Sequence, residues 1–337
     1  MELSVRVDPT GPLQGVLSVD GAWGAEGLNL SHWPGNTTPP DLVHELSTGS
    51  ALRFAGLDPT ERVERAAGAE AIVNNHYDTD GVLALFATRH PERALEFRAA
   101  LLEAAAAGDF FQVPSERGLA LDALITNFAD PERSAFARTF AAEPDHVRHT
   151  EVTLQLLAEL PALLGVERLP NEELWLPVVE RYRLDRAELE GASRHDDAER
   201  DLTTYLSPRP WNLEGPGRHA LFGSTGADRV LVLAPSTGGG HTVRLILSTL
   251  SWFEPLCRER LARPDLARLA ARLNELEPCS SDCGTAWRTQ KLTGASPELW
   301  FGTTELESYA EHSTALRASA IDLDLIRREI EIELSAT

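Results

Sequence analysis

Apolar residues along this chain recur with two periods, and the changes of period divide it. Over residues 1–113, short apolar runs (VLSV, LNL, AIV) alternate with segments whose apolar positions fall at helical spacing. Short, largely apolar runs of that length predict strands. Their alternation with helices predicts an α/β layer built on a mostly parallel sheet. PERALEFRAALLEAAAAGDF, at 91–110, predicts one helix, with high-propensity residues throughout, Pro91 near its start and Gly108 near its end. From 114 to 199 nearly every stretch has apolar positions at helical spacing, punctuated by prolines at 131, 144, 161 and 170, and the last helical segment runs to Arg194. This region predicts a helical connector. After residue 200, DLTTYL, HALFG, DRVLVLAP and TVRLILSTLSWF read as strands and PDLARLAARLNEL as an amphipathic helix. Two aromatic segments, AWRTQ and ELWFG, precede a final helix near 314–334. The expected organisation is an α/β layer at 1–113, a helical connector at 114–199 and an α+β domain at 200–337.

Composition narrows the class without naming a function. Of 337 residues, 42% are apolar and 25% charged, which describes an ordinary globular chain. No apolar run approaches the ~20 residues that cross a bilayer, and the first residues lack a basic, apolar leader. The expectation is a cytoplasmic protein without a membrane partner. Acidic side chains outnumber basic ones by 52 to 31, for a formal charge of −21, so duplex nucleic acid is a disfavoured partner. Cys257, Cys279 and Cys283 are odd in number and lack the companions of a zinc site, so neither a disulfide nor structural zinc is expected.

Chemistry concentrates where the N-terminal strands end. In AIVNNHYDTDG, at 71–81, an apolar run leads into His76, Asp78 and Asp80 at every second place, followed by Gly81. One imidazole and two carboxylates beyond a strand make a nucleus for a hard divalent cation, Mn²⁺ or Mg²⁺. Gly81 would let the backbone pass close to a ligand. In GVLSVDG, Asp20 ends another apolar strand in the same way, and ligands of open α/β sheets gather outside the carboxyl ends of strands. In LNLSHWPGNTTP, a third short run ends in Ser31, His32 and Trp33. His32 beside Asp20 would add a second nitrogen ligand, with an aromatic wall next to it. Taken singly, each segment also reads as an ordinary acidic or polar turn.

Together these segments resemble the DHH phosphoesterase superfamily. NHYDTDG matches its HxDxDG-type strand-end motif, SVDG its separate strand-end aspartate, and LSHW occupies the place of its Asp-His-His strand. Here Ser31 and Trp33 flank a single histidine, and the motif order is rearranged. ELSTGSALRF is similar to the Ser/Thr-rich helix that follows that third motif. The resemblance implies two metal ions held by Asp20, His32, His76, Asp78 and Asp80, with Asp109 as a bridging aspartate. It further implies hydrolysis of a small phosphorylated molecule or nucleotide, with Asp78 and Asp80 central to the chemistry. LSHWPGN, NNHYDTDG and RPDLARLAARLNELE also resemble a family of uncharacterised bacterial proteins over most of the chain.

STGGGHTVRL, at 236–245, is similar to the GGGH segment of the substrate-binding domain that accompanies DHH domains. Gly239, Gly240, His241 and Arg244 are the expected substrate-binding residues there, and a plain hairpin is the alternative. A non-catalytic nucleotide- or protein-binding module is the alternative for the whole chain.

Overall fold

In the computed structural model, the N-terminal apolar runs become strands β1 (Ser4–Val7), β2 (Val16–Val19), β3 (Asn29–Leu30) and β4 (Ala71–Asn74). They lie in the order β1-β4-β2-β3, and every pairing is parallel. The central strands β2 and β4 are buried at every position, while edge strand β1 alternates exposed and buried. Burial on both faces is what makes a parallel strand apolar without interruption. Residues 3–10, 14–21, 27–212, 215–253, 255–278, 284–303 and 316–336 are described, and Cys279 and Cys283 lie outside them. The chain divides into two compact units, residues 1–181 and 182–337.

In the first unit the sheet is accompanied by α1 (Ser47–Ala55), α2 (Pro59–Arg65), α3 (Thr79–Arg89), α4 (Pro91–Glu96), α5 (Arg98–Phe110), α6 (Glu116–Phe128), α7 (Ala135–Arg138) and α8 (Asp145–Gly165). Helix α9 (Glu172–Glu190) runs across the boundary between the units. The stretch 91–110, expected as one helix, is two. Phe97 breaks it at φ −108°, ψ 20°, with the Arg93 guanidinium 5.4 Å from its ring centroid. The halves pack against different neighbours, α4 on α1 and α3, α5 on α3 and α6. Packing here overrides a continuous helical propensity. Helix α8 lies along β1, where the Val7 amide donates to Thr150 Oγ1 at 2.9 Å.

The second unit carries a mixed sheet ordered β5-β6-β7-β8-β10-β9, from β5 (Ser193–Asp197), β6 (Leu202–Leu206), β7 (Arg229–Pro235), β8 (His241–Leu247), β9 (Ala286–Thr289) and β10 (Glu298–Gly302). Leu231, Leu233, Val243, Leu245 and Phe301 form its core with α11 (Leu266–Leu276) and α12 (Leu323–Ser335). Two local expectations change. HALFG falls in helix α10 (Arg218–Phe222) and not in a strand, because a short apolar run carries no period of its own. SRHDD, whose first two residues were expected to end a helix, is β5: it has no apolar alternation, and its strand form comes from antiparallel pairing with β6. The overall class is α/β, with a parallel N-terminal sheet and a C-terminal mixed sheet with helices. Among the described residues, no helix is long and apolar enough to cross a membrane.

Candidate metal centre

Because β2, β3 and β4 are parallel, the residues that follow them emerge at one edge of the sheet. Asp20 follows β2, Ser31 and His32 follow β3, and Asn75 and His76 follow β4. Asp20 sits at φ 46°, a left-handed conformation that a non-glycine residue holds at some cost. At Gly21, a Cβ would lie 2.7 Å from Asn75 Nδ2, so only glycine lets these two strand ends approach this closely. Asp78 caps α3, accepting the Gly81 amide at 2.8 Å, and Asp80 falls in the first turn of the same helix. At Gly81, a Cβ would come within 1.8 Å of Asn74 Nδ2, so the glycine makes room for the buried Asn74 side chain.

Helix α1 aims its N-terminus into the same place. Its first amides, from Ser47 and Thr48, donate to the two oxygens of Asp80 at 2.6 and 2.8 Å. Two fixed donors and the positive end of a helix hold that carboxylate at 0% exposure. Ser47 Oγ and Trp33 Nε1 donate to Asp20 Oδ1 at 2.8 and 3.1 Å. The other oxygen, Asp20 Oδ2, is buried without a hydrogen bond.

The side chains form two sets that share Asp20: Asp20, His32, Asp80 and Asp109 in one, and Asp20, His76 and Asp78 in the other. His32 Nε2 lies 2.9 Å from Asp109 Oδ2, 3.5 Å from Asp80 Oδ2 and 3.7 Å from Asp20 Oδ1. His76 Nε2 lies 2.6 Å from Asp78 Oδ2 and 3.3 Å from Asp20 Oδ2. Donors bound at about 2.1 Å to one small cation, at right angles, are about 3.0 Å apart. The two sets therefore have the spacing of ligand shells, and Asp20 turns one oxygen to each. The first set is sealed, with the His32 side chain 2% and the Asp109 side chain 9% exposed, whereas those of His76 and Asp78 are 31% and 35% exposed. Trp33 roofs the open side, its ring 5.0 Å from that of His76.

The electrostatics are those of an anion cage. Burial pushes Asp20 and Asp109 well above the usual carboxylate range, and neighbouring carboxylates, Asp78 beside Asp20 and Asp80 beside Asp109, push them further. Burial works against protonation of His76, but the carboxylates of Asp78 and Asp20 outweigh it and raise the imidazole to about 10. Burial likewise works against ionisation of Asp78, yet His76 and the Gly81 amide bring it down to about 2. A buried cluster of aspartates and histidines able to hold a metal ion is thus present in the first unit.

In the second unit, the Gly-rich segment is the turn between β7 and β8, with the Ser236 amide donating to Gly240 O at 3.0 Å. Gly240, at φ 74°, has no room for a Cβ, which would sit 2.2 Å from Ser319 O, and the adjoining His241 pairs with Ser319 through both backbone groups. Backbone approach accounts for that glycine; Gly239, at φ 90°, is in open space. Arg244, expected on a substrate, is 4% exposed and grips Glu298 through Nε and Nη2 at 2.6 and 3.1 Å. A desolvated, two-pronged ion pair commits that guanidinium to the protein interior. Ser47 and Thr48, which hold Asp80 and Asp20, were visible in the sequence only through the resemblance of ELSTGSALRF to a Ser/Thr-rich helix.

Fold and site define a class: an α/β protein with a candidate metal centre at the carboxyl ends of a parallel sheet. The chain belongs to a family described as a family of unknown function (DUF6687), whose profile matches residues 9–335. No curated protein matches it significantly.

Proposed function

We propose that this protein is a metal-dependent phosphohydrolase of the DHH-like type, acting on a small phosphorylated molecule or nucleotide. The observation that carries this reading is the doubled ligand set. Two clusters share Asp20, with nitrogen–oxygen spacings from 2.6 to 3.7 Å, and a buried Asp20 oxygen has no hydrogen bond. His32, Asp80 and Asp109 would hold one ion and His76 and Asp78 another, with Asp20 common to both. An all-oxygen-and-imidazole donor set without sulfur suits Mn²⁺ or Mg²⁺. Such ions, when bound, make water acidic enough to act as nucleophile at neutral pH and polarise a phosphoryl oxygen. The protein's own part is orientation. Ser47 and Thr48 fix Asp80, Ser47 and Trp33 fix Asp20, and the exposed edges of His76 and Asp78 leave the approach to substrate.

One observation favours a non-catalytic binding module as a second reading. The Asp-His-His triplet is absent, with Ser31 and Trp33 flanking a single His32, and the open set has three ligands among the described residues. The deciding experiment measures bound metal on the purified protein. Turnover of phosphomonoesters, nucleotides and cyclic dinucleotides with Mn²⁺ and Mg²⁺ follows. Hydrolysis that needs the metal supports the enzyme; metal binding without turnover of any substrate class selects the module; absence of binding at millimolar Mn²⁺ removes the first reading.

A further inference from the structure

The ligand segment 76–80 has two sides. His76, Asp78 and Asp80 belong to the ligand clusters, while the residues between them, Tyr77 and Thr79, both end on helix α6. Tyr77 Oη donates to Ile125 O at 2.6 Å. Thr79 Oγ1 donates to Asp122 Oδ1 at 2.5 Å and lies 3.5 Å from Thr126 Oγ1. Asp122, Ile125 and Thr126 are three and four residues apart and so share one face of α6. Helix α5 passes over the same contact: a Cβ on Gly108 would sit 3.0 Å from Asp122 Oδ1 and 3.2 Å from Thr79 Cβ. Gly108 directly precedes Asp109, a member of the sealed set.

A carboxylate is a poor choice for stability at this place. Asp122 is 6% exposed, burial disfavours its charge, and Asp78 adds a like charge nearby. An apolar residue would fill the α6 face at lower cost. What the carboxylate adds is a short, directional bond to the residue lying between Asp78 and Asp80.

We propose that Asp122 and Thr79, supported by Tyr77, are positioning residues that set the ligand turn of α3 against α5. On this view Asp122 holds Asp78 and Asp80 in register with Asp109 without itself contacting an ion. The inference rests on reading the two clusters as a metal centre.

Thr79→Val removes the hydroxyl and nearly keeps the shape; Thr79→Ser keeps the hydroxyl. Each variant and wild type is titrated with Mn²⁺ by calorimetry, with the electron paramagnetic resonance of bound Mn²⁺ and the melting temperature recorded in parallel. Thr79→Val should weaken binding about 10–100-fold and alter the Mn²⁺ spectrum, in line with losses of outer hydrogen bonds in other metal sites. Thr79→Ser should restore both. Thr79→Val combined with Asp122→Asn should lose less affinity than the product of the two single losses, because both changes remove the one shared bond. If Thr79→Val melts lower yet binds Mn²⁺ like wild type with an unchanged spectrum, the pair is only structural. If Thr79→Ser is as impaired as Thr79→Val, the hydroxyl is not the agent. A wild type that takes up no Mn²⁺ would overturn the metal centre itself, an outcome distinct from either of these.

Discussion

At the scale of single residues, the candidate centre sets buried carboxyl groups against one another: burial and neighbouring carboxylates both oppose ionisation of Asp20 and Asp109. Asp78→Asn and Asp80→Asn keep side-chain shape and remove a negative charge. Each should abolish tight Mn²⁺ binding, measured by calorimetry, while the metal-free protein keeps its fold. Asp20→Asn should raise the melting temperature of the metal-free protein, because it relieves a carboxyl group that burial and neighbouring charges both oppose. A pH titration adds an independent check. In the metal-free protein His76 is raised from 6.5 to about 10, so its contribution to stability is complete below pH 6.5 and disappears as pH rises through 10. A metal ion needs the neutral imidazole, so uptake must expel that proton. Mn²⁺ affinity should therefore rise between pH 6 and 9, by up to about tenfold per pH unit for each proton released. Affinity that stays flat over this range would exclude His76 as a ligand.

At the scale of elements, three parallel strand ends and three helices meet, and glycines set how closely they can do so. Gly81→Ala places a methyl group against the buried Asn74 amide and should force α3 or the end of β4 to shift. The expected cost is about 1–3 kcal/mol in chemical denaturation, with Mn²⁺ affinity reduced as well. Asn74→Ala should recover much of that loss in the double variant, since it empties the space the methyl group needs. A double variant no better than Gly81→Ala would place the strain elsewhere. Helix α1 contributes differently. Its Ser47 and Thr48 amides are backbone donors, so the orientation of Asp80 survives side-chain changes in that turn better than that of Asp20, which depends on the Ser47 hydroxyl.

At the scale of the whole molecule, metal binding should read out as stability. A ligand at a hundredfold of its dissociation constant adds about 2.7 kcal/mol, and each kcal/mol shifts melting by about 2–4 °C in a domain the size of the first unit. Saturating Mn²⁺ should thus raise the first unit's melting temperature by about 5–10 °C, reversed by chelator and absent in Asp80→Asn. The parallel N-terminal layer was legible in the sequence alone, because VLSV and AIV are short, largely apolar runs set between segments of helical period, the pattern of strands alternating with helices. The sequence also singled out His76, Asp78 and Asp80, because spacing along one segment is a local property. That Asp20, His32 and Asp109 join them was expected from the resemblance, but the order of strands that brings them together was not legible. Insertion of β4 between β1 and β2 brings Asp20 beside His76 across more than fifty residues of chain, and no local pattern encodes that neighbour. The same limit hid β5, whose strand form comes from its partner, and the commitment of Arg244 to Glu298 in place of an open anion site. Asp122 was invisible for a related reason: on a helical pattern it is one polar residue among apolar ones, and the packing of α6 against the ligand turn is what brings Thr79 to its carboxylate.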